Sequence, residues 1–205
     1  MIGALIGREI RRASTGLAWL PVAFFLLVVA LMPFAVGPDA RLLSRIGGGT
    51  LWVAALTAAL LPVERLIEPD RADGFLDQLS LHGLAEETII AAKIAAHWLT
   101  FGPLLLIAAL PAAALLAMDG SSLVRVEIAL AIGTPGLAAL AVAIAAVTAG
   151  LPRAGSLAGL LLLPLAVPLL IFGAANALLL EAAFSLLLTA GAPFVAGAAI
   201  RASRT

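Results

Sequence analysis

Six long stretches of the chain contain no Asp, Glu, Lys or Arg, and each is long enough to cross a lipid bilayer as one helix. Apolar residues run continuously through each stretch instead of alternating with a period of two, which argues against the strands of a membrane β-barrel. The sequence therefore predicts an all-α integral membrane protein with six transmembrane helices in a single domain over residues 1–205. The predicted spans lie near 17–37, 47–67, 94–118, 126–150, 154–174 and 180–200.

Composition agrees with a chain that lies almost wholly in lipid. Hydrophobic residues make up 63% of the 205 residues, whereas soluble domains hold about 45–50%. Acidic and basic residues balance at 12 each, and no basic tract indicates binding to nucleic acid. The chain has no cysteine, which excludes disulfides and thiolate-ligated metal sites.

The basic residues predict how the chain is oriented in the membrane. Six spans place both termini on the same side. If that side is the cytoplasm, nine of the twelve basic residues lie inside, and only Arg41, Arg45 and Arg125 lie outside. This distribution follows the positive-inside rule, and the opposite orientation violates it. The sequence thus predicts a multi-pass protein with both termini in the cytoplasm.

Residues 1–12 combine apolar residues near helical spacing with three arginines and a glutamate. This pattern predicts a short amphipathic helix that lies on the inner leaflet. The alternative is an ordinary basic flank of the first span.

Seven of the twelve acidic residues lie between Glu64 and Lys93, at the inner ends of the second and third spans. Asp70, Asp73 and Asp77 recur at i, i+3 and i+7, which places them on one face of a helix predicted over 70–81. The segment lacks the dense Asp/Asn/Gly pattern of a calcium-binding loop, so we predict no metal site there.

Apolar residues of the same segment, Phe75, Leu76 and Leu79, with Leu81 as a further candidate, offer a second helical face. One interpretation is a helix that inserts into a groove of a partner protein. The other is a connecting helix that rests on the membrane. The pattern alone leaves both interpretations open.

Several strings along the chain resemble, in order and spacing, the sequences of one family of membrane proteins. They are RI at 45–46 with WVAAL at 52–56, VERL at 63–66, Asp70 with DGFLDQL at 73–79, AK at 92–93 with AHW at 96–98, GTP at 133–135 and LPLAVPLLIF at 163–172. The family is haem exporter protein B, the permease subunit of the ABC transporter of cytochrome c-type biogenesis. The chain departs from the family pattern at Asp77, where Glu is usual, and in its short turn between spans 5 and 6.

The resemblance implies a homodimeric permease in the bacterial inner membrane that is not itself an enzyme and binds no cofactor directly. A cytoplasmic ABC ATPase subunit would bind the ATP, and haem would be a substrate of the complex. Further implied partners are a haem-handling membrane protein and a haem chaperone, whose loaded form is released by ATP hydrolysis. The residues predicted to couple the chain to the ATPase are Glu64, Arg65, Asp70, Asp73, Gly74, Phe75, Leu76, Asp77 and Leu79.

The chain has no Gly-rich phosphate-binding loop with Lys and Ser/Thr, so ATP hydrolysis by that chemistry must come from a partner. His97 and Trp98 lie near the inner end of span 3, and we predict that they anchor the span or bond to a neighbouring helix. His97 is poorly placed to ligate haem for a chaperone on the outer side.

Two other classes of function remain open at this stage. A secondary transporter of a small solute needs ionisable residues along its spans, and the predicted spans hold almost none. A scaffold that assembles haem-handling partners without transporting anything is the other alternative.

Overall fold

Ten helices follow one another in the computed structural model, which describes residues 2–14 and 19–204. No strand occurs within these ranges, and the predicted all-α class is confirmed. The helices are α1 (Ile2–Ser14), α2 (Leu20–Val36), α3 (Ala40–Leu60), α4 (Val63–Leu66), α5 (Glu68–Ala72), α6 (Phe75–Leu81), α7 (Glu86–Leu115), α8 (Gly120–Thr148), α9 (Ala154–Ala174) and α10 (Leu178–Ala202).

Five of these helices, α3 and α7 to α10, are long and apolar enough to cross a membrane. The sixth predicted span corresponds to α2, which has 17 residues and a length of about 26 Å at 1.5 Å per residue. That is shorter than the roughly 30 Å of hydrocarbon. Residues 17 and 18 of that predicted span, and residue 1 of the predicted interfacial helix, lie outside the described residues.

Some helices begin earlier than the charge-free stretches predict. The predicted span 47–67 corresponds to α3, which begins at Ala40 because the Asp39 carboxylate accepts hydrogen bonds from the backbone N–H groups of Arg41 (2.8 Å) and Leu42 (3.2 Å). Helix α7 begins at Glu86 instead of residue 94, with two glutamates in its first turn, where the helix dipole favours negative charge.

The remaining spans fit the prediction more closely. Helix α9 has the predicted bounds 154–174, and α8 and α10 extend beyond 126 and 180 at their N-terminal ends. The Asp119 carboxylate caps α8 by accepting from the N–H of Ser122 at 3.2 Å. Hydrogen bonds from Ser121 and Ser122 hold the pKa of Asp119 down at about 2.

Helix α8 is the centre of the bundle. It packs most extensively against α10 and also against α9 and α7. The indole of Trp52 on α3 is fully buried against Gly133 of α8 and Gly173 of α9. A Cβ atom at either glycine would overlap the indole, so these small residues allow the three helices to approach closely.

Large apolar side chains cover the outside of the bundle, as expected of helices that face lipid. Examples are Ile107 on α7, Leu160 on α9, and Leu186 and Phe194 on α10, each more than 60% exposed.

Candidate functional site at the charged end of the bundle

One end of the bundle collects most of the charged residues, and we call it the charged end. It comprises α1, the segment 61–87, the turn between α8 and α9, and the last turn of α10. Two long-range contacts bring these parts together. The Glu68 carboxylate accepts from the backbone N–H of Gly150 at 2.8 Å, and the Arg204 guanidinium lies 2.7 Å from the Asp77 carboxylate.

The single helix predicted over 70–81 is divided in the structure into α5 and α6. Gly74 separates them with φ +69°, a left-handed conformation that glycine adopts without steric cost. The break rotates α6 relative to α5, so Asp70, Asp73 and Asp77 do not form one continuous row. Asp73 ends α5 and is exposed, and Asp77 lies in the first turn of α6.

Asp70 faces into the protein and is only 1% exposed. Its carboxylate bonds to Lys93 of α7 and to Arg12 of α1, and Arg8 of α1 lies 3.1 Å away. The Lys93 ammonium, itself 3% exposed, also contacts the Glu9 carboxylate at 3.1 Å. These five residues, which we call the ionic clamp, hold three elements together: α1, α5 and α7.

The charges of the ionic clamp compensate the cost of burial. Burial alone raises the pKa of the Asp70 carboxyl, but the attraction of Lys93 and hydrogen bonds from Lys93 and Arg8 outweigh it. The pKa of Asp70 therefore lies below its ordinary value, and the carboxylate stays ionised at neutral pH. The Lys93 ammonium donates a further hydrogen bond to the carbonyl oxygen of Leu66 at 3.2 Å.

Apolar contacts attach α6 to the rest of the charged end. Leu76 is buried, and Phe75 and Leu79 are half-buried against the core. The Arg8 guanidinium lies 3.6 Å from the centre of the Phe75 ring, a cation–π contact. The apolar face that the sequence predicts on this segment is thus used largely inside the chain, and α1 covers part of it.

The C-terminal end of α10 binds the other side of α6. Arg204 contacts Asp77 and also Glu86 (2.6 Å), and its guanidinium donates to the Ser80 hydroxyl at 3.0 Å. Arg201 lies 2.6 Å from the Glu87 carboxylate at the start of α7. Helix α6 is therefore held between the N-terminal helix and the C-terminal helix of the chain.

Glu64 and Arg65 of α4 are exposed at the same end. The Glu64 carboxylate lies so close to Gly155, in the first turn of α9, that a Cβ atom there would overlap it. Glu68 pairs with Arg71 at 2.7 Å, and this hydrogen bond is the main reason why the pKa of Glu68 lies below its ordinary value. A groove of about 410 Å³ opens between α4 and the turn from α8 to α9, lined in part by Glu64, Glu68 and Arg153.

What α5 and α6 leave exposed is a small surface, which we call the α6 tip. Its apolar member is Leu81, which is 87% exposed. The same segment exposes the side chains of Asp73, Asp77, Gln78 and His82, and Asp77 lies one helical turn before Leu81 on α6. An exposed leucine with a carboxylate on the same helical face at the end of a bundle is a suitable anchor for another protein.

The two predicted residues of span 3 lie away from the α6 tip. The Trp98 indole N–H donates to the Thr134 hydroxyl of α8 at 3.0 Å, as predicted for a bond to a neighbouring helix. His97 is buried with its ring 4.8 Å from that of Phe101.

Sequence reasoning missed the partners of Asp70 and Asp77. The sequence prediction uses Arg8, Arg12 and Lys93 only to orient the chain in the membrane. It uses Arg204 only to mark the end of a span. A sequence signal was present, because seven acidic residues near nine basic residues of the same predicted side imply internal pairing.

Comparison with known proteins matches residues 1–203 to the family model described as CcmB protein. Among curated proteins, the chain is 42% identical to heme exporter protein B of Rhodobacter capsulatus over 97% of each chain. It is 43% identical to heme exporter protein B of Paracoccus denitrificans over the same shares. It is 41% identical to heme exporter protein B of Escherichia coli K12 over 76% of this chain and 70% of the relative.

Proposed function

The chain belongs to the CcmB protein family, and from this membership we propose that it couples ATP hydrolysis by a separate cytoplasmic subunit to haem handling in cytochrome c maturation. It is a permease subunit of a haem-exporting ABC transporter and is not itself an enzyme. The docking surface, the partners and the path of coupling described below are parts of the proposal.

The observation that carries the proposal is the exposed α6 tip. Leu81 is the one large apolar side chain of the segment 68–84 that is exposed. The exposed carboxylate of Asp77 lies one turn before it on α6, and exposed Asp73 precedes the turn at the start of α6. A partner that docks here needs an apolar pocket for Leu81 and basic side chains around it. We propose that the ATPase subunit supplies both.

The ionic clamp connects α5, and with it α6, to the membrane-spanning helices. Asp70 bonds to Lys93, which lies two turns into the 30-residue helix α7. Helix α4 continues directly from α3 and packs on α8. A displacement of α5 and α6 by the ATPase is thereby transmitted to α3, α7 and α8 without any contact between the ATPase and the spans.

Asp70 and Leu76 therefore have a different role in the proposal from the exposed residues. Both are buried, so they position the docking segment and do not contact the partner. Asp73, Asp77 and Leu81 are the proposed contact residues. Gly74 provides the left-handed turn that aims α6.

We propose six spans, with α2 as the first, because a five-span bundle would separate the two termini. In the structure both terminal regions meet at the charged end, where α1 bonds to Asp70 and α10 to Asp77. The charged end would face the cytoplasm, in agreement with the positive-inside rule. We further propose a homodimer in the bacterial inner membrane that works with a haem-handling membrane protein and a haem chaperone.

Co-purification of the ATPase tests the proposed docking surface. Leu81→Asp removes the apolar anchor and Asp73→Lys reverses a charge, so each variant should lose most of the bound ATPase and lower the yield of cytochrome c. Ser121→Lys, an equally exposed substitution at the opposite end of the bundle, is the matched control and should bind normally. Normal ATPase binding by both the Leu81 and the Asp73 variant, with normal cytochrome c yield, would show that the segment is only a connector.

A further inference from the structure

Near its N-terminal end, helix α10 presents a polar strip to α8 in an otherwise apolar interface. Glu181 and Ser185 are four residues apart, which places them on one face of α10, and both are buried. They lie against Gly133 and Gly136 of α8, where a Cβ atom at either position would overlap the carboxyl or the serine. The two glycines of α8 therefore leave the space that these two polar side chains occupy.

Ser185 enters the backbone hydrogen bonding of α8. Its hydroxyl accepts from the N–H of Gly136 at 3.0 Å and donates to the carbonyl of Ile132 at 2.7 Å. An undisturbed helix joins these two groups directly, because they are four residues apart. Pro135, which has no N–H, lies between them and is the kind of residue at which a helix kinks.

Glu181 is 0% exposed, and neither of its carboxyl oxygens has a hydrogen-bond partner among the described residues. The Trp52 indole meets the same point of α8, at Gly133, and its own N–H also has no partner there. An ionised carboxylate in such a place costs far more free energy than a protonated one.

Among the described residues, no cation compensates the Glu181 carboxyl. Helix α9 has no titratable residue, and Glu127, the nearest one on α8, is six residues from Gly133, about 9 Å along the helix. No hydrogen bond or ion pair joins Glu181 to the titratable groups of the helices that pack on α10 or carry Trp52. These groups are Arg41 and Arg45 on α3, Glu86, Glu87, Lys93 and His97 on α7, and Arg125 and Glu127 on α8.

We propose that Glu181 is an intramembrane proton-binding carboxyl, and that the bound proton keeps α10 packed on α8, with the Ser185 hydroxyl bonded to the α8 backbone beside Pro135. When the carboxyl ionises, its charge requires water or a cation, which the closed interface does not supply. The interface then opens at Gly133, and the Ser185 hydroxyl, one turn away, leaves its two backbone partners. This proposal is independent of the docking of the ATPase.

Infrared spectroscopy of the full chain in lipid nanodiscs tests the bound proton directly. At neutral pH the native chain should show a protonated-carboxyl band that Glu181→Gln removes. Glu127→Gln is the matched control, since Glu127 also has a buried carboxyl oxygen without a partner, and it should leave that component of the band in place. Folded native and Glu181→Gln proteins with identical carboxyl bands would overturn the proposal.

Thermal unfolding against pH supplies a second test that begins with the native chain. A site that holds a proton in the folded state and releases it on unfolding makes the protein less stable as pH rises. The midpoint should therefore fall from neutral to alkaline pH in the native chain and in Glu127→Gln, and stay level in Glu181→Gln. A level midpoint in the native chain, or a fall that only Glu127→Gln abolishes, would overturn the proposal.

Ser185→Ala distinguishes the effect of the bound proton from the effect of the serine hydrogen bonds to α8. It should lower the midpoint at neutral pH, because Gly136 and Ile132 lose their bridging hydroxyl, yet keep the protonated-carboxyl band. A Ser185→Ala protein without that band would contradict the assignment of the proton to Glu181 alone.

Discussion

The charged end and the α8–α10 interface are held together by opposite means. At the charged end, long side chains reach between α1, α5, α6, α7 and the C-terminal end of α10, and Asp70 alone contacts three cations. At the α8–α10 interface, small residues let backbones meet, and one hydroxyl satisfies two backbone groups. The ion pairs of Asp70 are buried, but the outer ion pairs of Arg201 and Arg204 are open to water and exchange partners readily. The α8–α10 interface tolerates little displacement while it is closed. The outer part of the charged end is thus suited to receive a partner, and the interface is suited to stay closed or to open as a whole.

The largest effect should follow from removing the centre of the ionic clamp. Asp70→Ala leaves Arg8, Arg12 and Lys93 together without their shared carboxylate, and should cost about 3 kcal/mol, near the low end for a broken buried pair. The lower end is expected because Arg8 and Arg12 are more than one-third exposed and water screens their charges.

Unfolding of the purified protein by denaturant measures this loss, and Asp73→Ala, an exposed aspartate three residues away, is its control. Equal stability of the two variants would mean that the ionic clamp does not stabilise the charged end.

A smaller effect should follow from a single methyl group inside the bundle. Gly173→Ala places a Cβ atom against the buried Trp52 indole, and overpacking of this kind costs about 1–3 kcal/mol. Gly159→Ala on the same helix has nothing within 4 Å of the added atom and should leave the unfolding midpoint unchanged or slightly raised, because Ala has the higher helix propensity. If both variants unfold like the native chain, Trp52 is not held between α8 and α9.

The smallest of the three effects should follow from Gly74→Val. A β-branched residue at φ +69° is strained by about 1–3 kcal/mol, but the short segment relieves part of this strain by turning α6. We therefore expect a modest loss of stability together with weaker ATPase binding. Gly74→Asn, which tolerates the left-handed conformation, should restore both properties, and failure of Asn to do so would point to a cause other than backbone conformation.

Acid should destabilise the charged end, because the Asp70 carboxylate becomes protonated at low pH. Because its pKa is lowered in the folded protein, the stability it contributes is complete above its ordinary value near 3.8 and is lost as pH falls through the folded value. The unfolding midpoint of the native chain should therefore fall in acid more steeply than that of Asp70→Asn. If the unfolding midpoints of the native chain and of Asp70→Asn fall equally in acid, Asp70 is not the group whose protonation destabilises the protein.

Much of the helical framework could be predicted from charge-free runs, because a charge rarely lies in the interior of a span. The same rule fails where a charge lies within a helix. Arg41 and Arg45 belong to α3, yet the sequence prediction places both outside the spans. Glu181 belongs to α10 and lies at the edge of the predicted span 180–200, whose charge-free run begins only at residue 182. The buried carboxyl of Glu181 was missed for this reason.

The docking segment shows a second limit of sequence reasoning. The spacing of Asp70, Asp73 and Asp77 fits one helical face, but Asp70 is buried while Asp73 and Asp77 are exposed, and the left-handed turn at Gly74 divides the segment. A glycine within a helical pattern was the available signal. The cations that bind Asp70 are 58 and 62 residues away along α1, and 23 residues away on α7, and local periodicity contains no information about such contacts.

The central claim is that the α6 tip is the surface on which the ATPase docks. The chain has no native cysteine, so Leu81→Cys and Ser121→Cys each provide a single reactive site, one at each end of the bundle. With a short thiol-reactive photo-crosslinker on the assembled complex, we expect the ATPase to be captured from position 81 and not from position 121. Capture from position 121, or an intact complex in which position 81 captures no ATPase, would contradict the claim.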